Sequence, residues 1–248
     1  MKRYLILAIL LISLIGPRIA QADVLVHAAA SLTDALQEIA GMYQKEGNPK
    51  VQFNFGASNT LARQIQEGAP GDIFFSADEE KMNSLDKKGL LVKDTRKSLL
   101  SNTLVIVVPA DSKTEMKSIQ DLTKVKNIAI AEPQSVPAGI YAKEYLRKVG
   151  LWSKLIDRMI PADNVRATLA VVEAGNAEAG IVYKTDALIS KRVRIAFEIP
   201  RAEGPKISYP VAVLKESKDP EAAMNFYRYL TSDKALEVYR KYGFLMPE

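Results

Sequence analysis

The 248-residue chain contains no cysteine. That excludes disulfides, thiolate metal sites, a cysteine nucleophile and a lipid-modified cysteine near the N-terminus. Stability has to come from an ordinary apolar core. Histidine is almost as scarce, with His27 standing alone. Neither a paired-histidine metal site nor a Ser-His-Asp triad can be assembled around one imidazole on a strand of apolar neighbours. His27 therefore reads as a packed or hydrogen-bonded structural residue. Long basic runs are missing too, and with them the case for nucleic acid or an anionic membrane surface. The formal net charge of +5 overstates the basic character, because Lys2, Arg3 and Arg18 sit in residues 1–22 without an acid and leave +2 for the rest. Short-period repeats and low-complexity tracts are absent. Beyond residue 22 no segment has the roughly 20 uncharged apolar residues that a membrane span requires.

What is present begins with a secretory signature in residues 1–22. Lys2 and Arg3 form a positive start, residues 4–15 form an apolar run interrupted by Ser13, and Ala20-Gln21-Ala22 supplies a small-x-small cleavage pattern. A mature, exported chain starting near Asp23 is expected. Its roughly 226 residues suffice for one large domain or two modest lobes.

From there the chain alternates. Strands are expected at 24–30, 50–57, 72–77, 103–109, 127–133, 179–183 and 207–215, the last carrying Pro210. Helices are expected at 31–47, 58–68, 118–125, 137–152, 164–177 and 220–244. This order predicts an α/β protein with helices on the faces of largely parallel sheets. Two similar halves suggest two α/β lobes joined by crossing strands at 103–109 and 205–213. The last helices then return to the first lobe: residues 23–104 plus 208–248 form one lobe and 105–207 the other. A single doubly wound domain is the simpler alternative, and periodicity alone does not separate the two.

Four helix starts share one chemistry. Ser31 follows three alanines, Ser58 follows Gly56-Ala57, Pro137-Ala138-Gly139 follows Ser135-Val136, and Asn164-Val165 follows Pro161-Ala162-Asp163. Free N–H groups and the helix dipole make such ends anion sites, at the strand ends where α/β sheets hold ligands. The first three loops carry no charged side chain. Neutral donors suit a fully deprotonated tetrahedral dianion better than hydrogen phosphate, which also needs an acceptor. Each start has an ordinary explanation as well. Ser31 with Asp34 three residues on resembles a capping box, Ser58 is a common N-cap residue, Pro137 is a common helix starter, and Tyr183 fits a core or rim position.

The segments AAASLTDAL (28–36), FGASNTLARQIQEGAPGDIFFSAD (55–78), VPAGIYAKEYL (136–146), VRATLAVVEAGNAEAGIVYKTDA (165–187) and YRKYGF (239–244) resemble the periplasmic molybdate-binding proteins of molybdate ABC transporters, in order and across the mature chain. The resemblance implies a class II periplasmic binding fold with a ligand cleft between two lobes. It implies a periplasmic, monomeric, non-enzymatic component that hands molybdate or tungstate to a membrane permease, with no cofactor. Molybdenum would be held only as its oxyanion. The implied ligands are the hydroxyls and backbone N–H groups of Ser31 and Ser58, the backbone N–H groups of Ala138 and Val165, and the Tyr183 hydroxyl. His27 and Glu132 depart from the family pattern at positions that are not ligands. The alternatives are a binding protein for sulfate, thiosulfate, phosphate or a small organic acid, or a hydrolase using Ser31 or Ser58. The hydrolase lacks a base.

Other charged residues have plainer readings. Arg166 is expected to form an ion pair with an acid on the cleft rim. Asp72 and Asp78 are expected in solvated or capping roles. Lys234, Glu237, Arg240 and Lys241 read as a solvated helix face.

Overall fold

A computed structural model describes residues 23–247. The expected signal peptide lies outside the described residues. The chain opens with β1 (Val24–Ala29), α1 (Thr33–Lys45), β2 (Val51–Gly56), α2 (Ser58–Gln66), β3 (Ile73–Phe75), α3 (Glu79–Lys87) and β4 (Lys97–Leu100). It then builds β5 (Leu104–Pro109), β6 (Ile128–Ala131), α4 (Pro137–Lys148), α5 (Trp152–Leu155), β7 (Met159–Ala162), α6 (Val165–Glu173), β8 (Ala179–Tyr183), α7 (Lys184–Ile189) and β9 (Val193–Glu198). It returns through β10 (Tyr209–Val213), α8 (Pro220–Leu230) and α9 (Asp233–Lys241).

Two five-stranded sheets result, with the orders β2-β1-β3-β10-β4 and β7-β6-β8-β5-β9. Each has the same plan. Three parallel strands stand beside one antiparallel strand that has just arrived from the other sheet, and an edge strand follows. The two α/β lobes of the sequence reading are thus present. The chain changes sheet between Leu100 and Leu104 and again between Glu198 and Tyr209. The expected crossing strands are therefore members of the sheets. Residues 104–109 belong to the second sheet and 209–213 to the first, and the crossings themselves are the irregular segments ahead of them.

Strand alternation places helices on both faces. Ile73 and Phe75 of β3 enter the main core under α1, α8 and α9, while Phe74 points the other way, into a second cluster with Leu61, Ile65, Met82 and Leu85 of α2 and α3. Some expected elements change form. Residues 119–124 wind as a 3-10 helix, and the expected helix at 220–244 breaks after Leu230, where Ser232 accepts from the Ala235 N–H and starts α9. Lys234 and Lys241 are more than a solvated face, since they pair with Glu46 and Glu38 and tie α9 to α1 and its C-terminal end.

Candidate functional site

The carboxyl ends of the parallel strands of both sheets point toward one place. Ala29 ends β1, Gly56 ends β2, Phe75 ends β3, and Ala131, Ala162 and Tyr183 end β6, β7 and β8. The loops after them meet at a small cavity of about 20 Å³, with Ser31, Ser58, Ala138, Val165 and Tyr183 all in its wall. That is space for one small ion, far short of the several hundred cubic ångströms of an organic-ligand pocket. No charged side chain lines it. A wider hollow of about 620 Å³ lies beside the crossings, near Asn102 and Lys206, and no helix start opens into it.

Neither serine spends its hydroxyl on a helix cap. Ser31 lies in a 3-10 turn, Ala30–Leu32, without a side-chain cap, and Asp34 turns away to Arg166. Ser31 Oγ instead lies 3.0 Å from the Tyr209 hydroxyl. Ala57 occupies the N-cap of α2, so Ser58 is the first helical residue, and its Oγ accepts from the Ala77 N–H at 2.9 Å. The capping-box and N-cap readings of these serines are thereby corrected.

The opposite wall supplies backbone. Pro137 opens α4 with no side-chain cap, which leaves the Ala138 N–H at the uncapped first turn. Gly139 lets that turn approach the sheet, because a Cβ there would lie 2.1 Å from the Ala131 carbonyl oxygen. Asn164 caps α6 by accepting from the N–H groups of Arg166 and Ala167, which leaves that of Val165. Tyr183 is 1% exposed, and its hydroxyl has no hydrogen-bond partner among the described residues. Burial raises its pKa well above the ordinary tyrosine value, so the proton is retained and available to donate.

Charge surrounds the cavity at one remove. Arg166 reaches Asp186 of its own lobe at 2.5 Å and Asp34 of the other lobe at 2.6 Å. Asp186 is fully buried, and burial, outweighing the Arg166 guanidinium, pushes its pKa up to about 6. The ion pair expected of Arg166 is thus double. Asp72 and Asp78 are buried, against the solvated reading. Asp72 accepts from the Leu25 N–H and from Ser217, and Asp78 caps α3 through the Lys81 N–H. His27 is structural: Nε2 donates to the Pro70 carbonyl at 2.8 Å and Nδ1 accepts from Asn54 at 3.0 Å, a tautomer assigned by those partners. A Cβ at Gly71 would collide with that ring at 2.4 Å.

The sequence reading missed Tyr209, Asn102 and Thr185, which form a buried chain leading to Ser31. Their only sequence signal was the proline in β10, where the register shifts between Tyr209 and Pro210.

Comparison with known proteins places this architecture in company. The model of a family described as bacterial extracellular solute-binding protein matches residues 24–245. The molybdate-binding protein ModA of Escherichia coli is 43% identical over 234 residues, covering 90% of this chain and 89% of that protein. The molybdate-binding protein ModA of Haemophilus influenzae is 43% identical over 232 residues, covering 91% of each. The solved periplasmic molybdate-binding protein of Azotobacter vinelandii superposes with a TM-score of 0.83 over 91% of this chain and 100% of that one, at 24% identity.

Proposed function

This chain belongs to the bacterial extracellular solute-binding proteins, and we propose that it is the exported component of an ABC importer that captures molybdate, and tungstate with it, for delivery to a membrane permease. The observation that carries this reading is the composition of the cavity wall. Two serine hydroxyls, one tyrosine hydroxyl and the N–H groups left over at the starts of α4 and α6 converge from both lobes on space for a single small ion, without a charged side chain. Ser31, Ser58, Ala138, Val165 and Tyr183 are the ligands. Hydrogen bonds to a charged group contribute about 1.5–3 kcal/mol each, and several together offset the desolvation of a dianion. The near identity of molybdate and tungstate in shape and charge means that both enter. No chemistry is performed on the ion. Molybdenum stays inside its oxyanion shell, and the protein works without a cofactor, as a monomer.

In this reading residues 1–22 direct export to the periplasm and are removed. The two changes of sheet, at 101–103 and 199–208, are the hinge that opens and closes the cleft. Sulfate, with the same charge and a smaller radius, is discriminated against because the donors stand on rigid helix starts and do not collapse onto it.

Thermal unfolding with molybdate, tungstate, sulfate and phosphate tests the proposal. Ligand at 1,000 times its Kd stabilises by about 4.1 kcal/mol, a shift on the order of 8–16 °C for a chain of this size. A flat response to both molybdate and tungstate overturns the reading, and a larger response to sulfate reassigns the cargo.

A further inference from the structure

Ser31 has one hydroxyl proton, and where it points decides what the cavity accepts. Its direction can be followed back through buried groups. The Thr103 N–H donates to Asn102 Oδ1 at 2.9 Å. A backbone amide only donates, so this contact pins the carboxamide, and the Asn102 nitrogen faces the other way. That nitrogen lies 2.9 Å from Thr185 Oγ1 and 3.3 Å from the Tyr209 hydroxyl. An NH₂ group is a donor only. The Tyr209 oxygen therefore accepts from Asn102, and its own proton goes to Ser31 Oγ, 3.0 Å away. Burial raises the Tyr209 pKa, so that proton is not lost at any ordinary pH. Ser31 accepts from Tyr209, and its own proton is left for the cavity. Ser58 reaches the same polarity by a shorter route, accepting from the Ala77 N–H.

We propose that Asn102 and Tyr209 are positioning residues that turn Ser31 into an obligate donor, so that the cavity selects oxyanions carrying no proton of their own. This rests on the oxyanion-binding reading of the site. The relay begins at the Thr103 N–H in the outgoing crossing, passes through Asn102, which also donates to Thr185 of α7 in the second lobe, and through Tyr209, the first residue of β10 after the returning crossing, and ends on Ser31 in the wall of the first lobe. The outgoing crossing and the strand that follows the returning one are thus wired to the same serine.

The decisive variant is Asn102→Asp. It keeps the shape and the Thr103 contact but presents an acceptor to Tyr209. Tyr209 then donates to residue 102, Ser31 donates to Tyr209, and a lone pair faces the cavity. Calorimetry at neutral pH should show molybdate binding weakened about 10- to 100-fold, the equivalent of one hydrogen bond to a charged group. Hydrogen arsenate, a tetrahedral dianion that brings a proton to donate, should lose less, so the molybdate-to-arsenate ratio falls. Adding Tyr209→Phe to Asn102→Asp cuts the relay, frees the Ser31 proton and should recover part of the molybdate affinity. Damage to packing, or the added charge alone, gives no such recovery. If Asn102→Asp does not fold by circular dichroism, Tyr209→Phe alone carries the test: Ser31 becomes free to turn, and the molybdate-to-arsenate ratio falls. An unchanged ratio in the single variants, or a double variant no tighter than Asn102→Asp, overturns the relay while the cargo assignment stands. If the wild-type protein prefers sulfate, the cargo assignment falls and the relay is scored on sulfate. If the wild-type protein binds none of these oxyanions, both fall.

Discussion

At the scale of single residues, Tyr183 separates binding from packing most cleanly. Its ring is core, 5.8 Å from that of Tyr209, but its hydroxyl has no partner among the described residues. A buried hydroxyl in that position costs about 1–3 kcal/mol of stability. Tyr183→Phe should therefore leave the ligand-free protein as stable as before, or more so, by thermal unfolding. The same change should weaken molybdate about 10- to 100-fold by calorimetry. Lost stability with intact affinity would return Tyr183 to a core role. Asp186 offers a second test, in pH. Its pKa of about 6 lies above the ordinary carboxylate value of 3.8. Between those values the folded state holds more protons than the unfolded state, so stability falls as pH rises through that window and is level above it. At 1.36 kcal/mol per unit the contribution is about 3 kcal/mol. Asp121, held near 2 chiefly by its hydrogen bond to Lys124, titrates below this range. Urea denaturation of the wild type and Asp186→Asn at pH 4, 5, 6 and 7 should show the wild type losing stability relative to the variant only up to about pH 6. Parallel curves would mean that Asp186 stays ionised.

At the scale of elements, the helix starts carry the proposed ligands, and Gly139 shows how tightly one is seated. Gly139→Ala pushes a methyl into the Ala131 carbonyl, 2.1 Å from the ideal Cβ position. Overpacking of this kind costs about 1–3 kcal/mol, and it displaces the turn that carries the Ala138 N–H. Stability by denaturation and molybdate affinity should fall together, whereas alanine at Gly41, with open space around it, should leave affinity unchanged. These starts were legible in the sequence because small neutral loops precede amphipathic helices of strong period. The strands missed in the sequence, β4, β7 and β9, have a common cause. All three are sheet edges, with partly exposed burial patterns and no clean alternation. α3 escaped because only Met82 and Leu85 of its nine residues are buried, and α7 because six residues are too few to show a period. The Ser31–Tyr209 contact spans 178 residues of sequence, and no local pattern encodes it.

At the scale of the molecule, the question is what holds the lobes together around the ion, and Arg166 is the group placed to do it. It sits beside Val165 at the start of α6 and grips Asp186 behind it and Asp34 of α1 across the cleft. The two contacts are unequal. Asp186 is fully buried, so Arg166→Met strands a buried carboxylate, at a cost of about 3–5 kcal/mol unless the group takes up a proton. Pairing Arg166→Met with Asp186→Asn should restore most of that stability. Asp34 keeps 35% of its side-chain surface exposed, and water screens its attraction to about 0.2–1 kcal/mol. Asp34→Asn should therefore spare stability and weaken molybdate by less than about fivefold, with the loss fading as salt rises. The change should lie in the dissociation rate, read by stopped-flow fluorescence of Trp152, because in the proposed hinge motion the bridge joins the lobes only when they close. If Asp34→Asn speeds association and leaves dissociation untouched, Arg166, with one carboxylate fewer beside it, steers the anion toward the cleft instead of latching it.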